Sequence, residues 1–407
     1  MSEWQEVELS NHIDLISGYA FKSKDFLDHQ EQGTLPVIKI KNVANGDVNL
    51  EKVVFHKYSD SLSKFLLSKG DVLIAMTGNH PQAQTQVVGS VSKYKLDLNG
   101  LLNQRVGKVI PIGSTNLDFV YYFFKDKDTH RYLANESSGS ANQANISKAT
   151  IIEIKTDFPE PDEQKAIAEV LSSLDDKIDL VHRQNKTLEQ MAETLFRQWF
   201  VEEAGEDWEV GTLNDVLSVK GGTTPSTKKP EFWNGDIHCT SPRDITSLDA
   251  IYLFDTERKI TKSGLNKISS GLLPKGTLLM SSRAPVGVLA FAEVPLAINQ
   301  GYIAILGDKG FSNEFLYIWL KFNMDYVKSY ANGSTFLEIS KSAFKNLEIK
   351  IPPEDIRSDF QGLIVPYFKK IKFNQTQIRT LESLRDTLLP KLMSGEVRVQ
   401  YDKEGNF

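Results

Sequence analysis

Residues 163–200 read EQKAIAEVLSSLDDKIDLVHRQNKTLEQMAETLFRQWF, and their spacing decides the fold. From Leu171 onward apolar residues fall alternately three and four apart: Leu171, Leu174, Ile178, Val181, Leu188, Ala192, Leu195 and Trp199. Asn185 is the one polar member of the series. A 3.5-residue repeat keeps one narrow stripe facing a partner helix, so this spacing predicts a coiled-coil seam rather than the wider stripe of a surface helix. The same register returns 193 positions later in Ile364, Tyr367, Ile371, Asn374, Ile378, Leu381, Arg385, Leu388 and Leu392. Lys177-Ile178 answers to Lys370-Ile371, Leu188-Glu189 to Leu381-Glu382, and Thr194-Leu195 to Thr387-Leu388.

The repeat reaches beyond the helices. Trp4, Leu9 and Gly18 correspond to Trp208, Leu213 and Gly222, and Val88-Gly89 corresponds to Val286-Gly287. Asn103-Gln104 corresponds to Asn299-Gln300, Asp118-Phe119 to Glu314-Phe315, and Ile146-Ser147 to Ile339-Ser340. The chain is thus a tandem repeat in which each copy ends in a long helix. The offset between copies drifts by small insertions, as loops between shared elements allow. Within each copy the pattern predicts a mixed α/β domain. Val37–Val43, Val72–Met76 and Tyr302–Leu306 read as strands, Leu117–Phe124 and Phe315–Leu320 as short apolar helices.

Connectivity predicts an antiparallel helix pair, because a compact second copy must leave one helix and enter the other at the same end. The expected organisation is α+β: domains at 1–158 and 204–351, long helices at 159–203 and 352–396, and a tail at 397–407. An approximate two-fold axis relates the copies. The seam from Leu171 to Trp199 spans roughly 43 Å at 1.5 Å per residue. Asn185 and Asn374 either fix the register of the seam or lie at its exposed edge.

Composition sets the bounds. With 407 residues, 40% apolar and 10% aromatic content, the chain is an ordinary multidomain globular protein. No apolar run approaches the ~18–20 residues of a membrane span. The single cysteine, Cys239, leaves no internal disulfide or cysteine-based zinc cluster, and a cytoplasmic location is expected. Residues 151–207 carry 6 Lys and Arg against 15 Asp and Glu, so most of the acid excess lies in the first helix region. Both globular segments are close to neutral, which permits DNA binding through local patches.

Enzymatic motifs are few. Pro161-Asp162 followed by Asp175-Asp176-Lys177 matches a nuclease pattern, but along one continuous helix those carboxylates do not converge on a metal. Acidic residues in the first turns of a helix are explained by its dipole. No phosphate-binding loop or paired zinc-ligand spacing occurs, and neither catalytic residues, metal nor cofactor are expected. The remaining candidates are polar loops recurring at matching places. Thr77–Gln86 is answered by Ser281–Pro285, and Ser137–Gln143 by Asn332–Thr335. Asn and Gln can pair with adenine edges, Arg with guanine, and Ser, Thr and Lys with phosphates. Trp199 and Phe200 read as packed against a domain or a partner protein.

Several stretches carry a family resemblance: Pro161-Asp162-Glu163-Gln164-Lys165-Ala166-Ile167-Ala168, Leu174–Asp179, Thr194–Phe200, and the ending Leu388-Leu389-Pro390-Lys391-Leu392-Met393-Ser394-Gly395-Glu396-Val397. The chain resembles a specificity subunit of a type I restriction–modification system over essentially its full length. The second helix departs from the first motif, with Ile356-Arg357-Ser358 where Gln164-Lys165-Ala166 would stand. The resemblance implies two target-recognition domains, each reading half of an asymmetric bipartite site in double-stranded DNA. It also implies helices that dock two methyltransferase subunits, with restriction subunits joining outside, and no catalytic residue in this subunit. Candidate DNA-contacting residues are Lys41, Thr77, Asn79, His80, Gln82, Gln84, Asn142 and Gln143 in the first copy. In the second they are Lys228, Lys229, Arg243, Ser281, Ser282, Arg283, Asn332 and Ser334. The rival reading is a coiled-coil adaptor whose two domains bind proteins.

Overall fold

The computed structural model describes residues 4–43, 46–79, 87–140, 143–333 and 337–400. The chain folds as two compact units. One runs up to Ile178 and resumes at Thr380; the other is Asp179–Arg379. Each therefore combines a globular domain with parts of both long helices.

In the first unit Gln5–Glu8 pairs antiparallel with Lys155–Phe158, closing the domain just before the helix. A four-stranded antiparallel sheet follows the order Ile13–Ser17, Val106–Pro111, Val72–Ala75, Val91–Lys93. A second sheet orders Val54–Lys57, Thr34–Ile38, Gly100–Leu102 and Leu66–Leu67, with the middle two strands parallel. The helices Leu117–Lys125 and Lys127–Glu136 cover the first sheet, burying Phe119, Tyr122 and Phe124.

The second unit repeats this plan. Glu209–Thr212 pairs with Glu348–Ile351. Its main sheet runs Ser218–Lys220, Tyr302–Leu306, Leu278–Ser281, Leu289–Ala292, with Tyr252–Leu253 added at the edge. The other sheet runs Arg258–Ile260, Trp233–Thr240, Leu296–Ile298, and its last pair is again parallel. Asn313–Phe322 and Met324–Ser329 are the covering helices.

One predicted strand is shorter than expected. Pairing stops at Ile38, and Ile40–Val43 turns helical because the Asn42 side chain accepts the Lys39 backbone N–H at 3.1 Å. A side-chain oxygen that satisfies an N–H three residues back offers the backbone an alternative to the ladder.

The repeated residues have structural reasons. A Cβ on Gly18 would press into the carbonyl of Asn103, and one on Gly222 into that of Ile298. Gly89 and Gly287 take φ of +80° and +93°, and a Cβ there would strike Leu133 or Met324 of the covering helices. Ser147 and Ser340 each cap a short helix by accepting the N–H of the third residue on.

The long helices are Pro161–Arg197, prolonged by a π turn at Gln198–Glu202, and Glu354–Met393. They run antiparallel within each unit. In the first, Glu163 meets Arg398 while Asp175 meets Arg385. In the second, Asn185 meets Asn374 and Phe196 lies 6.2 Å from Phe360 between ring centres. Leu171, Ile178, Val181, Ile364, Ile371 and Ile378 are buried, as the seam predicts. Leu174, Leu188, Leu195, Leu381 and Leu388 are half-buried. Phe368, rather than its neighbour Tyr367, fills the deep position.

The two asparagines are buried, not at an exposed edge. Asn374 Nδ2 donates to Asn185 Oδ1 at 2.8 Å. Trp199 and Phe200 pack inside the second unit, Phe200 standing 4.7 Å from Phe360 and 5.0 Å from Phe315. The departure at Arg357 is a substitution of means. Gln164 Nε2 donates to the Pro159 carbonyl at 2.9 Å, and Arg357 Nε donates to the Pro352 carbonyl at 3.0 Å. Arg357 thus stands in the place of Gln164, one position from where the motif comparison put it.

Candidate nucleic-acid interface

In each unit polar turns converge at one end of the sheets, and several of the backbone bonds that gather them recur in both. In the first unit Thr77–Gly78 continues the Val72–Ala75 strand and pairs with Asn145 and Ala144. The described ends of the two stretches, Thr77–Gly78 and Ala144–Asn145, are therefore neighbours. The Tyr19 N–H donates to Leu102 O, Gln104 N–H to Tyr19 O, and Asn103 N–H to Ile38 O. These bonds bring the turns at Tyr19, Lys39–Lys41 and Gln104–Arg105 to the same end.

Three bonds of the first unit, Met76 N–H to Arg105 O, Ile146 N–H to Met76 O and Asn103 N–H to Ile38 O, recur in the second. Ser282 N–H donates to Gly301 O, Ile339 N–H to Ser282 O, and Asn299 N–H to Thr240 O. Glu338 forms backbone bridges with both Arg283 and Asn332. The turns at Ser241–Arg243, Asn299–Gly301, Ser282–Arg283 and Asn332 are thereby assembled.

The individual candidates differ in what they present. Asn79, Lys41, Lys228, Lys229, Arg243 and Asn332 are exposed, and Arg283 is half-exposed with Glu338 Oε2 3.9 Å from its guanidinium. Lys41 Nζ reaches the Lys52 carbonyl. Lys229 lies over the Phe232 ring at 5.5 Å, and the Lys228–Lys229 loop neighbours a concave face lined by Thr227, Trp233 and Arg258. Three candidates prove to be internal. Thr77 donates to Asn145 Oδ1 at 2.8 Å, and Ser281 donates to Pro285 O and accepts the Val288 N–H. Ser282 is 3% exposed. These short side chains at strand ends shape the loops and do not face solvent. His80, Gln82, Gln84, Asn142 and Ser334 lie outside the described residues, and of Gln143 only the backbone is described.

Sequence reasoning overlooked Tyr19, Gln104, Arg105, Thr224 and Gln300, all exposed at the same ends. For the two glutamines the signal is the repeated Asn-Gln dipeptide, whose asparagine N–H serves the framework while the glutamine is displayed.

The carboxylates of the nuclease-like pattern are employed elsewhere. Asp175 accepts hydrogen bonds from Tyr122 at 2.9 Å, Lys125 at 3.1 Å and Arg385 at 2.8 Å. Burial alone would raise its pKa, but Lys125 and Arg385 outweigh that and hold the carboxyl below its ordinary range. Asp162 lies 13 residues earlier on the same helix, or about 20 Å away along the axis. Among the described residues no group of three His, Cys, Asp or Glu side chains is placed to hold a metal, and no helix is long and apolar enough to cross a membrane.

Comparison with known proteins supplies the context for this geometry. The family model described as type I restriction modification DNA specificity domain matches residues 1–190 and again 205–383. The chain is 29% identical to the type I restriction enzyme MjaIX specificity subunit of Methanocaldococcus jannaschii, covering 90% of this chain and 91% of that one. It is 25% identical to the HindI specificity subunit of Haemophilus influenzae, covering 98% and 100%. Among solved structures, the type I restriction-modification S subunit from M. genitalium superposes with a TM-score of 0.59 at 17% identity, covering 96% of each chain.

Proposed function

This chain belongs to the family of type I restriction–modification DNA specificity subunits, and on that premise we propose that each of its two units reads one half of an asymmetric, bipartite target in double-stranded DNA. The observation that carries the reading is the paired loop cluster. Equivalent backbone bonds gather polar turns at the same end of both units, while the side chains they display differ: Asn79 in one, Arg283 and Asn332 in the other. One scaffold with two displays suits two unlike half-sites.

In this reading the domains at 1–158 and 204–351 are the target-recognition domains. The helices at 159–203 and 352–396 carry the surfaces on which two methyltransferase subunits dock, and restriction subunits join through that complex. The chain is the non-catalytic recognition component. On the same reading Arg283 makes a bidentate contact to guanine and Asn79 and Asn332 make contacts to adenine, each good pair discriminating by ~1–3 kcal/mol.

The test is co-expression with a cognate methyltransferase, followed by genome-wide mapping of modified bases. Two unlike short motifs separated by a fixed non-specific gap are expected. A single contiguous motif or a palindrome would refute the reading. The adaptor alternative predicts no binding to duplex DNA, whereas phosphate neutralisation gives affinity that falls steeply with salt.

A further inference from the structure

We infer that a matched pair of exposed donors in each unit, Lys41 with Gln104 and Arg243 with Gln300, grips the sugar-phosphate backbone of DNA and carries none of the sequence specificity. The inference rests on the reading of the units as DNA-recognition units and divides their labour.

The equivalence of the two pairs is written in hydrogen bonds. Asn42 Oδ1 accepts the Lys39 N–H at 3.1 Å, and Asp244 Oδ2 accepts the Ser241 N–H at 2.7 Å. The same acid or amide position then receives the next loop: Asn42 Nδ2 donates to Glu51 O, and Asp244 Oδ1 accepts the Glu257 N–H. Lys41 and Arg243 each immediately precede this position, so both cations leave the same first turn after the same strand. Asn103 N–H bonds to Ile38 O and Asn299 N–H to Thr240 O, both at 3.2 Å, which ties the glutamine turn to the cation turn in each unit. Lys41, Gln104, Arg243 and Gln300 are all exposed.

Two arguments point to phosphate. The first concerns sameness. If the units read different half-sites, a side chain that recurs in kind and place can recognise only what the half-sites share, and every duplex shares its backbone. The second concerns hydrogen-bond polarity. Thr224 Oγ1 donates to Gln300 Oε1 at 2.5 Å, which engages one lone pair of the amide oxygen within the protein and leaves both N–H donors of the amide for a ligand. A phosphate oxygen only accepts, so it suits those donors, whereas bidentate adenine recognition needs both the oxygen and the nitrogen.

The experiment uses the full chain in complex with its methyltransferase subunits, binding a duplex that holds the mapped target and one in which it is scrambled, across a salt series. Arg243→Ala is expected to weaken both duplexes by the same several-fold factor and to make the slope of log affinity against log salt shallower by about one. Arg243→Lys should restore that slope. Gln300→Ala should weaken both duplexes equally and leave the slope unchanged, because the amide is neutral. A fall in the ratio of specific to scrambled affinity for either alanine variant overturns the inference, and so does unaltered affinity for both duplexes. If the unsubstituted complex itself shows no salt-dependent duplex binding, the DNA-recognition reading fails, and this inference with it.

Discussion

The two units hold their helix segments with a different balance of charge and aromatic packing. In the first, the helix surface is charged and buried: Glu163, 0% exposed, is held by Arg398 and Trp4, and Asp175 by Arg385, Lys125 and Tyr122. In the second, the place of Asp175 is taken by Phe368 and that of Glu163 by Ile356. The core there is a run of rings: Phe196, Phe200, Phe315, Phe360 and Phe368. Its charged contacts are those of Glu189 and Glu193 with Lys321 and that of the buried Glu293 with Lys372 of the C-terminal helix. Burying apolar area stabilises without regard to partner, whereas a buried carboxylate stabilises only when the right cation arrives. The difference means that the first unit is selective for the segment bearing Arg385 and Arg398. The second relies mainly on bulk, supplemented by the Glu293–Lys372 pair.

The largest effect is expected from the aromatic side. Phe360→Ala removes a fully buried ring and should cost ~3–5 kcal/mol. Because the chain has two units, the measurement is hydrogen exchange resolved along the sequence rather than a single melting curve. Loss of protection confined to Asp179–Arg379 is expected. Equal loss in both units would contradict their separate cores.

On the ionic side, Asp175→Ala strands two cations and should cost about 3 kcal/mol, within the range for breaking a buried pair. Its acid dependence has a definite sign. The folded-state pKa of Asp175 is depressed by Lys125 and Arg385 against the opposing effect of burial, so its contribution is complete above the unfolded carboxyl pKa, ~3.9. It is lost as pH falls through the lower, folded value. The stability gap between the parent and Asp175→Asn should thus narrow as pH falls below about 4. A gap that widens in acid would show the ion pairs to be misassigned.

The asparagine pair is next. Asn185→Leu alone leaves the buried Asn374 amide unmatched and should cost ~1–3 kcal/mol, while Asn185→Leu with Asn374→Leu should recover most of it. A double-substitution cycle on denaturant unfolding reads the coupling, and strict additivity would deny the bond its role. The smallest effect belongs to Lys321→Ala, ~0.5–1 kcal/mol, since that ammonium is 39% exposed and screened.

Much of this architecture was legible because repetition exposes framework. A residue kept in both copies at one offset, such as Gly18 with Gly222 or Ser147 with Ser340, marks a backbone constraint that any sequence of this fold must meet. The seam was legible because its period is local. Glu163–Arg398 was not, since the partners lie 235 positions apart and Arg398 sits in a segment read as a tail. Arg357 doing the work of Gln164 was hidden for a related reason: two different side chains satisfy one carbonyl, and only geometry shows their equivalence. The loop candidates were legible as loops, but exposure at a strand end depends on the neighbouring strand. That is how Ser281 and Thr77 turned inward while Gln104 and Gln300 went unnoticed.

If the two units read separate halves of one target, perturbing one unit alone should alter one half and spare the other. Arg283→Ala combined with Asn332→Ala alters exposed or half-exposed side chains of the second unit alone. Mapping of modified sites, with methyltransferase co-expressed, should show one half-site relaxed at one or more positions while the other half-site and the gap stay as in the parent. Relaxation of both halves together, or an unchanged target in a folded and active complex, would contradict the account.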